Sequence, residues 1–296
     1  MDVSIIIVNY NTTSLTKQSI QSVISHTIGI KYEIIVVDNA SDDRSIEAII
    51  YQFENVKLIL NQKNEGFGRA NNKGIKIAKG EFIFLLNSDA FLISNAVQYF
   101  LDFMRAVSNH QYAVCGGELV TGDSRKTVSF GNFPSLISLL SMFGPYIFFK
   151  KEYKRKYLLG VVNYNNEIKE VDFISGAAMF IRKSVVDAVG VFDNDFFLYF
   201  EETELSFRIK KAGFKSVILP EVKIIHLEGG SQVSDKFNYF RYENFATGRQ
   251  LFYKKCHGTW YARLAKSLYF LHTFLLSILR LEDGNIFRKL KIILKS

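Results

Sequence analysis

Asp89 stands at the end of Leu85-Leu86-Asn87-Ser88-Asp89, directly after the apolar run Phe82 to Leu86. A carboxylate released at the end of a buried strand can give an oxygen to a hard divalent cation and leave the rest of the coordination sphere open, which is what a diphosphate needs for its own oxygens to join. The same residue could instead be a turn former ahead of a helix. Asp38, which closes Val36-Val37-Asp38, is placed alike. Its carboxylate can accept hydrogen bonds from a base imide or a ribose hydroxyl, or it can cap a helix beside Asn39 and Ser41. Two further apolar runs end in polar groups, one in Asn9-Tyr10-Asn11 and one in Asn61 with the loop to Gly68. Farther along, Glu201, Glu202 and Glu204 open a helical pattern, where acids are favoured by the helix dipole and Glu204 can pair with Arg208 four residues on. His226 ends a short apolar run, and a neutral imidazole can ligate a Mn2+-type ion, whereas Mg2+ prefers oxygen.

The elements that would position these groups follow from the hydrophobic pattern. Val3 to Val8, Glu33 to Val37, Val56 to Leu60 and Phe82 to Leu86 are continuous and rich in Ile and Val. Strands buried on both faces read this way. Between them Ser14 to His26, Asp43 to Phe53 and Gly66 to Lys79 have helical periodicity. A β-α-β-α-β-α-β order predicts a parallel sheet with right-handed crossovers, and ligands of such sheets sit at the carboxyl ends of the strands. A mixed segment at 124–170 interrupts the pattern. Val171 to Ile181 is expected as strand or loop, Glu201 to Ala212 as a helix, Lys215 to Leu219 and Val222 to His226 as two short strands. Beyond Asp235 the chain is expected to be helical to its end.

With 296 residues and 48% hydrophobic content, the chain can bury a large core. Its two cysteines form no Cys-x-x-Cys pair, which argues against a disulfide framework or a thiolate zinc site and fits a reducing cytosol. Met1-Asp2-Val3 leads straight into a strand, so no signal peptide is expected. The net charge of +8 is concentrated: 254–296 carries nine Lys or Arg against two acids, 150–156 carries five against one, and the remainder is slightly acidic. Each basic patch adjoins an uncharged stretch, Thr127 to Phe149 and Ser267 to Leu279, the second too short to cross a bilayer. Apolar surface beside Lys and Arg suits shallow docking on an anionic leaflet, and the abundance of aromatic and aliphatic residues favours a membrane surface over nucleic acid. A helical hairpin buried against the domain is the alternative.

No glycine-rich dinucleotide fingerprint or P-loop follows the first strand, so a nucleotide would be held by side chains and metal. Taken in order, Ser4 to Asn11, Val36 to Ser41, Asn64-Glu65-Gly66-Phe67-Gly68-Arg69-Ala70-Asn71-Asn72, Leu85 to Asp89, Ser175-Gly176-Ala177-Ala178-Met179-Phe180-Ile181-Arg182, and Gly190-Val191-Phe192-Asp193 leading to Tyr199-Phe200-Glu201-Glu202-Thr203-Glu204-Leu205 resemble the family 2 nucleotide-sugar glycosyltransferases, in particular their rhamnosyltransferase-like branch. The resemblance runs from Val3 to about 231. It implies an α/β, A-type glycosyltransferase fold with a mostly parallel central sheet flanked by helices. The domain would span 1–230, with a nucleotide-binding half at 1–120, an insertion at 124–170 and an acceptor half at 171–230, followed by a helical, basic region at 231–296.

By the same resemblance the donor, a dTDP- or UDP-sugar, would meet Asn9, Tyr10, Asp38, Asn64, Gly66, Arg69, Asn87 and Ser88. Asp89 and His226 would hold Mg2+ or Mn2+, Glu202 would be the general base of an inverting displacement, and Gly176, Glu201 and Glu204 would lie on the acceptor side. The acceptor would be a glycan or lipid-linked glycan of surface polysaccharide synthesis, handled at the cytoplasmic face of the membrane. Two departures stand out: Asn87 occupies a position where the family often has Asp, and Glu202 and Glu204 stand where Asp is usual. These altered acids motivate the alternative of a non-catalytic nucleotide-sugar-binding or assembly protein of the same fold.

Overall fold

A computed structural model describes residues 1–42, 45–144, 159–227, 237–279 and 285–296. The basic run at 150–156 and the segment 228–231 after His226 lie outside them. Nine strands form one sheet in the order β3-β2-β1-β4-β10-β6-β11-β5, with β8 also on β11. They are β1 (Val3–Asn9), β2 (Tyr32–Asp38), β3 (Val56–Leu60), β4 (Phe82–Asn87), β5 (Ala90–Leu92), β6 (Tyr112–Val120), β8 (Lys169–Val171), β10 (Ala178–Arg182) and β11 (Lys215–His226); β7 (Phe130–Gly131) and β9 (Phe173–Ile174) pair separately. The first four strands are parallel to one another, as are β6 and β11, while β10, β5 and β8 run against their neighbours. Most of the sheet therefore shares one direction, and the reversed strand β10 joins its two parallel blocks.

The helices among the described residues are α1 (Thr13–His26), α2 (Ser45–Ile50), α3 (Phe67–Ile77), α4 (Ala96–Arg105), α5 (Leu136–Ser141), α6 (Lys183–Val189), α7 (Glu201–Lys211), α8 (Tyr239–His257), α9 (Thr259–Ile278) and α10 (Ile286–Lys295). Alternation along each strand sends side chains to opposite sheet faces. Ile5, Ile7, Val36, Phe84 and Phe180 pack with Ile20 of α1 and Phe100 of α4. Their neighbours Ile6, Ile35, Leu85 and Met179 pack with Ala70 of α3 and Leu205 and Ile209 of α7. A third core joins Leu139 of α5, Phe196 and Phe200 to Phe252, Tyr253, Ala262 and Ala265 of α8 and α9.

Two local expectations are corrected. Asp89 does not precede a helix; the chain turns at once into β5, which pairs antiparallel with the end of β11. The runs on either side of Pro220 are one strand rather than two, with a register shift between Leu219 and Lys223. Proline cannot donate to a ladder, so the pairing is interrupted there while the chain stays extended.

Candidate active site

The parallel register brings the strand ends level: Val8 lies beside Asn87, Asn9 beside Asp38, and Asp38 beside Leu60. A cleft of about 630 Å³ opens above them, lined among others by Tyr10, Asn64, Gly66, Ser88 and Asp89. Because β5 pairs Ala90 with His226, and the Leu227 N–H donates to the Asp89 carbonyl at 3.1 Å, two residues 137 positions apart meet at its edge. His226 Nε2 lies 3.3 Å from the Asp89 carboxylate and 3.5 Å from Asn87 Nδ2. His226 Nδ1 is buried with no hydrogen-bond partner. Among the described residues no three His, Cys, Asp or Glu side chains converge on one point. Asp89 and His226 thus form an O,N pair with room for ligand oxygens, a donor set that fits an open divalent site.

Asn9 and Asp38 are positioned differently from the cleft wall. Asn9 is fully buried, its Nδ2 donating to Asp38 at 2.7 Å and Ser41 at 3.0 Å while its Oδ1 accepts from Thr12 and Thr16. That consumes both N–H donors and both lone pairs. Asn9, expected as a donor contact, thus has its amide fully engaged within the protein and orients Asp38. Asp38 also accepts from the Ser41 hydroxyl at 2.6 Å and the Ser41 N–H at 3.1 Å. Arg69, also expected to meet the donor, is exposed and outside the cleft lining, and it donates through Nε to the Asn194 carbonyl at 2.6 Å, bracing the loop before α7.

Asn64 and Gly66 shape the opposite wall. Asn64 Oδ1 accepts from Asn39 Nδ2 at 2.8 Å and from the Gly66 N–H at 2.9 Å. Gly66 has φ +86°, and a Cβ there would collide with the Phe197 carbonyl, to which the Phe67 N–H donates at 2.9 Å. Only glycine meets both conditions. This contact brings in the 197–199 loop, whose Phe197, Leu198 and Tyr199 line the cleft.

Immediately before α7, Tyr199 and Phe200 both have φ +70°. Two non-glycine residues in the left-handed region are costly, and such strain survives where surrounding packing over-determines it. Here Phe200 is held against Phe245 at 4.9 Å between ring centres, and Gly248 lets α8 approach the Tyr199 carbonyl, which a Cβ would crowd at 2.5 Å. The strained pair sets where α7 starts and so where its acids stand.

Those acids have three fates. Glu204 is buried and bound by Arg208 at 2.7 Å and 2.8 Å, while Arg208 also donates to the carbonyls of Val189, Gly190 and Val191. The carboxylate of Glu204, expected on the acceptor side, ties α7 to the chain after α6. Glu201 is buried with Oε2 lacking a partner, and burial, then the neighbouring Glu202 charge, pushes it well above the usual carboxylate range. Glu202 is partly exposed, and desolvation raises it to about 7. It does not line the cleft itself; its stem packs near Gly176, and a Cβ at Gly176 would press on the ring of Phe67, which does.

Several lining residues escape sequence reasoning. Phe240 and Arg241 come from α8, and Arg241 is the only Lys or Arg among the described lining residues. Its Nε donates to the Tyr199 hydroxyl at 3.1 Å. Nothing in the spacing of a C-terminal aromatic helix signals that it returns to the strand ends.

The chain belongs to glycosyl transferase family 2, whose profile matches residues 4–190. The related glycosyl transferase family group 2 matches 149–283. It is 26% identical over 245 residues to an N-acetylglucosaminyl-diphospho-decaprenol L-rhamnosyltransferase of Mycobacterium tuberculosis, covering 77% of this chain and 76% of that one. A poly(ribitol-phosphate) beta-glucosyltransferase of Bacillus spizizenii is 36% identical over 110 residues, 36% of this chain and 17% of the relative. The fold is shared with GalNAc-T7 in complex with UDP, GalNAc and Mn2+ (TM-score 0.59, 17% identity, 86% of this chain) and with TarS of S. aureus (TM-score 0.56, 14% identity, 92% of this chain). The chain spans 50% and 43% of the length of those two structures.

Proposed function

We propose that this glycosyltransferase moves a sugar from a uridine or thymidine diphosphate donor onto a glycan or lipid-linked glycan of a surface polysaccharide, with inversion at the anomeric carbon. The convergence of Asp89 and His226 at the strand-end cleft carries this reading, because an oxygen and a nitrogen ligand there would suit a divalent ion beside a nucleotide diphosphate. The rhamnosyltransferase relative favours a deoxyhexose donor and a polyprenyl diphosphate-linked acceptor. A Mg2+ or Mn2+ ion held by Asp89 and His226 would neutralise charge developing on the departing diphosphate.

Asp38, buried just beneath the cleft and oriented by Asn9 and Ser41, is the group for the pyrimidine or ribose, while Asn64, Ser88 and Tyr10 line the donor space itself. Arg241 offers the cleft's cationic guanidinium to phosphate oxygens. Glu202 accepts the acceptor hydroxyl proton as the new oxygen–carbon bond forms and the bond from the anomeric carbon to the diphosphate breaks. A carboxyl that titrates near 7 suits that task at neutral pH. Gly176 and Glu201 shape the acceptor side next to it.

The test is nucleoside diphosphate release from a panel of uridine and thymidine diphosphate sugars, with Mg2+ or Mn2+, and with a polyprenyl diphosphate-linked sugar as acceptor. Turnover that Glu202→Gln abolishes without loss of donor binding supports the assignment. Absence of release from every donor, with donor binding unchanged in Asp89→Ala, would refute it.

A further inference from the structure

Helix α9 leaves one long face uncovered. Trp260, Leu264, Leu271, Leu275 and Ile278 recur at helical spacing and are 77%, 38%, 46%, 39% and 61% exposed. The helix is 20 residues long, which corresponds to roughly 30 Å. A mainly apolar stripe of that length on a single helix, broken only by Ser267 between Leu264 and Leu271, is larger than isolated surface leucines explain. Its opposite side is occupied by the third core, through Ala262 and Ala265.

Helix α10 adds charge to the apolar surface. Its inner side buries Lys289, Ile292 and Ile293, while its outer side presents Phe287 and Leu294 among Arg288, Lys291 and Lys295. From Thr259 to Ser296 the sequence carries seven Lys or Arg against two acids, Glu282 and Asp283, which fall between the two helices, so neither α9 nor α10 itself has an Asp or Glu. The distribution selects the partner. Two copies of this surface face to face would set cations against cations, and a nucleic acid backbone would leave the α9 stripe in water. An anionic lipid surface satisfies both halves, with the apolar side chains in the acyl boundary and Lys and Arg at the headgroups. Trp260, at the amino end of the stripe, has the apolar body and polar N–H suited to that boundary. No helix among the described residues is long and apolar enough to cross a membrane, so the surface would lie on the bilayer.

We propose that the outer faces of α9 and α10 form a docking surface for an anionic lipid bilayer. The proposal sharpens the membrane association expected above and is independent of the transfer chemistry. Because α8 both packs on α9 and lends Phe240 and Arg241 to the cleft, docking holds the donor site at a fixed attitude to the membrane.

Co-sedimentation of the full chain with vesicles of phosphatidylglycerol and phosphatidylcholine in equal parts, against phosphatidylcholine alone, tests it. Binding to the anionic vesicles, weakened by salt, is expected. The triple variant Arg288→Gln, Lys291→Gln, Lys295→Gln should lower partitioning about a hundredfold, since each cation near an anionic leaflet contributes about 1 kcal/mol. The double variant Leu271→Asn, Leu275→Asn should lose it as well. Nucleoside diphosphate binding, measured alongside, should be unchanged in both, which shows that they fold and separates this test from that of the catalytic assignment. Vesicle binding that both variants retain overturns the proposal. So do an absence of wild-type vesicle binding, a concentration-dependent dimer that the leucine variant alone disperses, and binding to duplex DNA but not to vesicles.

Discussion

At the scale of single residues, the two ends of the reaction rest on different physics. Asp89 is the sole carboxylate of the pair proposed to hold a divalent ion, because Asn87 carries no charge. On that proposal Asp89→Asn is expected to cut turnover by at least about a hundredfold, with metal-dependent donor binding lost by calorimetry. Glu202 is governed by desolvation instead. Its carboxyl, raised from the ordinary 4.5 to about 7, is protonated below that pH and cannot take a proton. The pH profile of kcat/KM should therefore fall as pH drops below about 7 and level off above it, and Glu202→Gln should remove the activity without moving donor affinity. The same shift has a sign for stability: a carboxyl whose folded pKa is raised favours the fold fully below about 4.5 and loses that contribution as pH rises through about 7.

At the scale of elements, small backbone constraints decide where the chemistry stands. Gly66 lies against Phe197 with a positive φ, so Gly66→Ala forces the 197–199 loop away from α3. A loss of about 1–3 kcal/mol in urea unfolding and a weakened donor site are expected together. Glu204 and Arg208 bind α7 to the turn after α6 by a largely buried ion pair. Arg208→Ala leaves that carboxylate buried without its partner, and about 3 kcal/mol of destabilisation should appear as a lower urea midpoint at unchanged slope. In the sequence this pair was visible as an i,i+4 spacing, whereas the left-handed Tyr199 and Phe200 were not: no local signal requires aromatic residues there, and only their packing on α8 sustains them.

At the scale of the whole molecule, the C-terminal helices complete both the core and the cleft. Phe252 is fully buried against Phe200, Phe207 and Tyr253. Phe252→Ala should cost about 3–5 kcal/mol and, by loosening the strained start of α7, lower turnover beyond its effect on stability, which thermal melts and kinetics on the folded fraction can separate. The alternation of apolar strands with amphipathic helices, and the polar residue closing each strand, were legible because period and burial are local properties of a chain. The strand ends at Asp38 and Asp89, the acidic start of α7 and the isolated His226 were therefore found as separate candidates. Their assembly was not local. Asp89 meets His226 only because β5 turns back onto the end of β11, Asn9 becomes a buried brace because its amide is used by Asp38, Ser41, Thr12 and Thr16, and Arg241 enters the cleft because α8 folds over Tyr199. Residue type and spacing determined which chemistry was available; which groups share one cleft was decided by non-local strand pairing and helix packing, whose register depends on contacts far apart in the chain.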